Sequence, residues 1–204
     1  MKKKVLIFST AYYPFVGGAE VAMKEITDRI DEYEFHMVTA LMNKKNKRKE
    51  KIGNILVYRV GFGIPMVDKI YLALFGYIKG LQLHKKNKYN AVWALMASYN
   101  GFAARKFKKK TGVSFLLTLQ EGDPIEYILQ KVRFVKKQFK DIFVSADALQ
   151  PISKYLFDWG KKMGFNGKFA EVIPNGVDIA RFTQEYDDNE LGEIKKSFGF
   201  KENS

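Results

Sequence analysis

Lys4-Val5-Leu6-Ile7-Phe8-Ser9, running on into Pro14-Phe15-Val16-Gly17-Gly18-Ala19-Glu20, is the stretch that decides the fold. It reads as a buried strand that empties into a tight, glycine-containing loop. The far end of the chain repeats the theme. Val172-Ile173-Pro174-Asn175-Gly176-Val177-Asp178, with Phe182 four residues on, is another apolar run opening into a Gly-bearing turn. In open α/β sheets, ligands bind outside the carboxyl ends of the strands. Two such loops bracketing one domain suit it to holding something polar.

Between them the hydrophobic pattern alternates between short strands and longer helical periods. Strands are expected at Val5–Phe8, Phe35–Ala40, Ile55–Val60, Ala91–Leu95, Phe115–Leu119, Ala148–Pro151 and Ala170–Ile173. Several are continuously apolar, as strands covered on both faces of a parallel sheet are. Ala22, Met23, Ile26 and Ile30 share one face of a helix. Further helices are expected at Lys69–Lys86, Asn100–Lys110, Ile125–Asp141 and Ser153–Met163. The order predicts an α/β, doubly wound, mostly parallel sheet flanked by helices. Two segments interrupt it: a basic loop over Lys44–Lys51 and a turn-rich break over Gly61–Pro65. After Phe182 the chain turns acidic and polar, with a short helix expected over Leu191–Phe198. Residues 1–182 thus read as one domain and residues 183–204 as a linker leading toward a further domain.

The 204 residues are 47% hydrophobic, enough for a packed core. No cysteine is present, which excludes disulfides and Cys-based metal sites and is compatible with a reducing compartment. The apolar run after Met1-Lys2-Lys3-Lys4 is too short for a signal peptide, and no stretch reaches the ~18 apolar residues of a membrane span. A cytoplasmic protein is expected. Thirty-five Lys and Arg against 22 Asp and Glu give a formal charge of +13. That field favours polyanions, or is the solubilising surface of a lysine-rich protein. The basic runs lack a reader motif and interleaved stacking aromatics, so nucleic acid is not an expected partner.

Gly17 and Gly18 lie between the first strand and the first helix, where backbone amides can approach a diphosphate. The spacing is neither G-x-G-x-x-G nor a P-loop, and a ligand-free tight turn fits it equally. Asn-Gly at 175–176 is a turn former, and Asp178 suits a cap. Ser153 suits an N-cap.

Three segments together, KVLIFSTAYYPFVGGAEVAMKEI (Lys4–Ile26), SADALQPISKYL (Ser145–Leu156) and VIPNGVDIARF (Val172–Phe182), resemble the N-terminal half of a glycosyltransferase family 4 enzyme. The last is the most specific, and the resemblance runs from about Lys4 to Phe182. It implies one Rossmann-like half of a GT-B fold, in which this domain holds the acceptor and a second, C-terminal domain binds the nucleotide sugar. It also implies a retaining transfer without a metal and without a cofactor, the nucleotide sugar being a substrate. Gly17 and Gly18 would then face the donor diphosphate, while Glu20, Ser153, Asn175 and Gly176 would line the acceptor cleft. The acceptor would be a glycan or a lipid-linked molecule.

One position departs from the pattern. Many relatives carry a histidine after the strand equivalent to Phe115–Leu119, where this chain has Gln120-Glu121-Gly122-Asp123-Pro124. Gln120 cannot titrate and can only hydrogen-bond. Glu121 and Asp123 are the candidates for acceptor binding or proton transfer, so the catalytic set is Gln120, Glu121 and Asp123. Asp123 before Pro124 also reads as an N-cap. His36 and His84 fall outside the expected cleft. Ile70, Leu74, Ile78 and Leu81 form one helix face, widened by Tyr71, Phe75 and Tyr77. With the basic runs at Lys44–Lys51, His84–Lys88 and Arg105–Lys110 it suits an anionic membrane surface, or is a core helix with solvated lysines. Localisation is then cytoplasmic and peripheral on the inner face of the membrane. The leading expectation is an acceptor-side domain that is inactive alone; the alternative is a binding subunit acting with a separate donor domain.

Overall fold

A computed structural model describes residues 2–199. The elements run β1 (Lys3–Phe8), α1 (Gly18–Asp28), β2 (Tyr33–Ala40), β3 (Lys49–Ile52), β4 (Ile55–Val60), α2 (Pro65–Asn87), β5 (Ala91–Leu95), α3 (Tyr99–Thr111) and β6 (Ser114–Leu119). They continue with α4 (Ile125–Lys131), a 3₁₀ turn (Arg133–Val135), α5 (Lys136–Ser145), β7 (Ala148–Pro151), α6 (Lys154–Lys162), β8 (Phe169–Ala170), α7 (Ile179–Phe182) and α8 (Asp188–Ser197). One compact unit ends at Pro174, and a second begins at Asn175 and holds α7 and α8.

The sheet order is β3-β4-β2-β1-β5-β6-β7-β8. Every pairing is parallel except β3 with β4. β1 is central, with Val5 opposite both Phe35 and Ala91. Its alternation divides the core. Leu6 and Phe8 join the cluster built with Leu72, Ala103, Phe107, Phe139, Phe143 and Trp159 of α2, α3, α5 and α6. Val5 and Ile7 join Ala19 and Met23 of α1 on the opposite face. Helices on both faces complete a Rossmann-like, doubly wound architecture. The chain leaves β4 on one side of β1 and re-enters at β5 on the other. That reversal puts the topological switch point at the carboxyl ends of β1 and β5.

Close packing of α2 on the sheet depends on a glycine. A Cβ at Gly80 would stand 2.9 Å from Phe8, 3.1 Å from Leu6 and 3.1 Å from Phe107. The start of α2 is fixed by Asp68, fully buried, whose carboxylate accepts from the backbone amides of Met42, Phe62, Gly63 and Ile64 at 2.6–3.2 Å. That carboxylate closes the β4–α2 turn and ties it to the exit of β2.

Four elements differ from the sequence expectation. The last three residues of the basic loop, Lys49–Lys51, begin strand β3, a charged edge that pairs antiparallel with β4 across Gly53-Asn54. The long helix expected over Ile125–Asp141 is broken into α4, the 3₁₀ turn and α5. Ile26 is exposed on α1, because Glu20 and Thr27 take inward positions and rotate the buried face. The last strand starts earlier and is shorter, although Glu171 and Ile173 still donate to the Leu149 and Pro151 carbonyls at 3.1 and 3.0 Å.

Candidate functional site

Three neighbouring strands, β1, β5 and β6, deliver their exit loops to the switch point. Asn100, fully buried at the start of α3, stitches the first two together. Its Nδ2 donates to the carbonyls of Phe8 at 2.9 Å and Leu95 at 2.7 Å, which fixes the amide with Oδ1 turned the other way. Thr10 Oγ1 lies 3.0 Å and Ser98 Oγ 2.6 Å from that Oδ1, and the two hydroxyls are 2.9 Å apart. Ser98 is the N-cap residue of α3, yet its side chain makes no cap bond because it turns into this triangle. Just upstream, Met96 takes a left-handed conformation at φ 71°, strain that non-glycine residues hold only where the surroundings enforce it.

β6 supplies the ionisable group. Glu121 Oε1 accepts from the Ala97 amide at 2.6 Å, joining the third loop to the second. Oε2 is sealed from solvent and meets no hydrogen-bond partner. Burial raises the carboxyl pKa to about 7, against the opposing pull of the Ala97, Glu121 and Gln120 amides. Buried polar atoms are normally paired; Tyr12 Oη, Thr39 Oγ1 and Trp159 Nε1 share this unpartnered state, and Glu121 Oε2 is the carboxylate oxygen among them, at the switch point.

The glycine loop is already occupied. Gly17 is the N-cap residue of α1, and its amide donates to Glu20 Oε2 at 2.8 Å. Glu20 is buried, so its carboxylate stands at the positive end of the helix, where an external anion would otherwise sit. A Cβ at Gly17 would come within 2.8 Å of that oxygen, whereas Gly18 faces open space. The loop before it is held from β4, through Arg59 Nη2 donating to the Tyr13 carbonyl at 2.5 Å.

Gln120 is half-buried next to Glu121. Asp123 is exposed and pairs with Lys131 at 3.4 Å; the N-cap residue of α4 is Pro124, without a side-chain cap, which corrects the capping expectation for Asp123. Ser153 does cap its helix, accepting from the Leu156 amide at 3.3 Å. Asn175 and Gly176 open the second unit, ahead of Asp178, which caps α7 by accepting from the Arg181 amide at 3.3 Å. His36 and His84 lie together around Tyr89, beside the Asn90–Lys4 contact at the amino end of the sheet. Sequence reading missed Thr10, Ser98, Asn100 and Arg59. The first three sit just past apolar strands flanking a reversal of strand order, the one signal that would have singled them out. Among the described residues no cluster of three or more His, Asp or Glu side chains is placed to hold a metal ion.

No family model matches the chain. In sequence it is 24% identical over 176 residues to the uncharacterized glycosyltransferase MJ1178 of Methanocaldococcus jannaschii, covering 84% of this chain and 46% of that protein. It is 26% identical over 178 residues to TuaC of Bacillus subtilis, whose name assigns it as a glycosyltransferase of teichuronic acid biosynthesis, covering 81% of this chain and 44% of that one. The chain thus spans less than half the length of these relatives. In three dimensions it matches sucrose-phosphate synthase from Thermosynechococcus elongatus with a TM-score of 0.75 at 12% identity, over 98% of this chain and 53% of that one. It also matches an E. coli trehalose-6-phosphate structure bound with UDP-2-fluoro glucose, with a TM-score of 0.58 at 14% identity, over 96% of this chain and 54% of that one. The fold is therefore that of one Rossmann-like half of a GT-B protein. Both of these sequence relatives carry glycosyltransferase names, so in sequence the chain is similar to glycosyltransferases.

Proposed function

We propose that the chain is the acceptor-side domain of a retaining, metal-independent, nucleotide-sugar-dependent glycosyltransferase that transfers a sugar to a glycan or lipid-linked acceptor. The observation that carries this reading is the Glu121 carboxyl, buried at the switch point with one oxygen unpartnered. Opening of the Gln120–Pro124 loop brings an acceptor hydroxyl against that oxygen, and the carboxylate takes its proton. The acceptor oxygen bonds to the anomeric carbon while the bond to the diphosphate oxygen breaks, and the diphosphate leaves with the electron pair. Gly18, and Gly17 once Glu20 swings away, offer amides to that leaving group. Gln120 and Asp123 bind acceptor hydroxyls from the rim. Ser153, whose oxygen caps α6, has a hydroxyl hydrogen to give to the same ligand.

A lipid-linked acceptor fits the exposed side of α2. Met66, Val67, Ile70, Leu74, Phe75 and Ile78 form a continuous outward stripe, bordered by Phe62 and Ile64. The sole acid of α2, Asp68, is buried and spent on four amides, while Lys106 reaches the Leu74 carbonyl at 3.1 Å and Lys79 lies over Tyr58. The stripe begins close to the switch point, since Tyr99, next to Ser98, donates to Met66 Sδ at 3.7 Å. Apolar side chains ringed by lysines and free of exposed acid complement an anionic bilayer, and the domain works as a peripheral protein on the cytoplasmic face. Among the described residues no helix is long and apolar enough to cross a membrane.

The donor site belongs to a second domain, so the isolated chain is expected to turn over negligibly. The test fuses residues 1–174 to the donor half of TuaC and follows both transfer and uncoupled hydrolysis of nucleotide sugars. Turnover by the fusion that falls at least a hundredfold with Glu121→Gln supports the reading. A folded fusion that binds the nucleotide sugar yet neither transfers nor hydrolyses it overturns the enzymatic reading and leaves a binding subunit. Gln120, which cannot titrate, is the feature that favours that second role.

A further inference from the structure

The oxygens of Thr10, Ser98 and Asn100 form a triangle with sides of 2.6, 2.9 and 3.0 Å. The amide nitrogen of Asn100 is committed to the Phe8 and Leu95 carbonyls, so the atom that faces the two hydroxyls is Oδ1, which accepts and has no hydrogen to give. Three oxygens in mutual contact therefore share two hydrogens, one from each hydroxyl. Two hydrogens cannot fill three edges, so one edge is bare even with both hydroxyls turned inward, and turning either one outward would leave a second edge bare. What the cluster presents to the mouth is lone pairs, and it is one hydrogen short.

We infer that this triangle is a specificity subsite for a donating ligand hydroxyl, selecting a neutral, hydroxyl-rich saccharide over a phosphate-bearing one. The inference rests on the acceptor-side reading and names the chemistry that the mouth accepts. A saccharide hydroxyl supplies the missing hydrogen, and its own oxygen remains free to accept from the first turn of α3, which has no side-chain cap. The oxygens of a phosphomonoester dianion accept and have no hydrogen to donate, and they meet three oxygens and the Glu121 carboxylate nearby. Thr10 and Ser98 are half-exposed while Asn100 is buried, so the polar edge is reachable and its scaffold is rigid.

The experiment is amide chemical-shift titration of the ¹⁵N-labelled 204-residue chain with methyl glycosides, glucose 6-phosphate and inorganic phosphate. Wild type, Thr10→Val and Ser98→Ala are compared, with thermal unfolding confirming that each variant folds. Methyl glycosides are expected to shift Thr10, Ala97, Ser98 and Asn100 with millimolar Kd. Thr10→Val, which leaves Ser98 and Asn100 a self-satisfied pair, is expected to weaken that binding about tenfold. Equal glycoside binding by wild type and both variants overturns the subsite and leaves the acceptor-side reading standing. Inorganic phosphate or glucose 6-phosphate shifting the same four amides more tightly than the glycosides overturns the selectivity. No response to any glycoside at about 100 mM overturns the subsite and the acceptor-side reading together.

Discussion

Arg59, almost fully buried in β4, donates through Nη2 to the carbonyl oxygen of Tyr13 at 2.5 Å, 46 residues earlier in the chain. The same guanidinium donates through Nη1 to the Lys47 carbonyl at 2.6 Å and pairs with Glu50 at 2.5 Å. One side chain thus holds the loop that leads to Gly17 and the edge strand β3. A planar fork with five donors does this, and a lysine cannot reproduce it.

Arg59→Met should therefore destabilise the chain by about 3 kcal/mol, since two carbonyls and a carboxylate lose their donor at once. Arg59→Lys should recover less than half of that loss. Urea unfolding at neutral pH measures both. The amides of Phe15 and Gly17, which donate to the Tyr12 carbonyl and to Glu20, should also lose hydrogen-exchange protection before those of β1 do.

Glu121 makes a pH prediction of unusual sign for a carboxyl. Its folded pKa of about 7 lies above the ordinary 4.5, so the protonated form is the one the fold favours. The stabilising contribution is complete below pH 4.5 and is lost as the pH rises through about 7. Glu121→Gln should remove that loss, leaving the variant roughly 2–3 kcal/mol more stable than wild type at pH 8 and nearly equal at pH 4.5. Denaturant midpoints across that range decide it; a variant less stable than wild type at pH 8 would show the carboxylate to be satisfied.

The parts legible in the sequence are those whose signal is local. Ile55–Val60, Ala91–Leu95 and Ala148–Pro151 stand out as short apolar runs between turn residues, and the structure ends them at the same positions. Strand β3 carries Lys49-Glu50-Lys51-Ile52, an edge paired on one side only, with no buried face to leave an apolar imprint. The rotation of α1 escaped because Glu20 is inward for a reason no periodicity contains, the amide of Gly17. At the mouth, Glu121 announces itself as a charge directly after a buried strand. Its burial comes from the Ala97 loop, 24 residues away. The triangle was invisible for the same reason, Thr10 and Asn100 being 90 residues apart until the strand order places β1 beside β5.

The two histidines set the opposite limb of the pH profile. His36 is buried, with Nδ1 2.6 Å from the Tyr89 hydroxyl and Nε2 2.9 Å from Glu34, and Tyr58, Lys4 and Lys49 also face it. Desolvation outweighs the attraction of Glu34 and holds its pKa below 6.5, and desolvation next to Lys88 does the same for His84. Neutral imidazoles are the native form, so their contribution is present above pH 6.5 and is lost as the pH falls through the depressed values. Imidazole titrations followed by NMR should give both midpoints below 6.5. His36→Phe should flatten the acid limb of a melting-temperature profile; midpoints above the ordinary value would contradict the burial argument.

The stripe on α2 makes the last prediction, and its side chains can be changed without touching the core. Ile70, Leu74 and Ile78 face outward, whereas Leu72, Ala73, Gly76, Gly80 and Leu83 of the same helix face the sheet and α3. Ile70→Glu with Leu74→Glu should leave the unfolding midpoint within about 0.5 kcal/mol of wild type, as surface substitutions do. The same pair should abolish flotation with vesicles containing anionic lipid, because it removes apolar contact and adds two repelled charges. Lysine-to-glutamine changes at positions 69 and 79 should weaken flotation without abolishing it, by about 1 kcal/mol per lysine, and should reduce its dependence on salt. A groove of about 330 Å³ lined by Tyr71, Phe75, Ile78 and Lys79 lies along the stripe. Flotation that is equal for neutral and anionic vesicles, or unchanged by the glutamate pair, would remove the bilayer from the list of partners and return α2 to an ordinary solvent-facing helix.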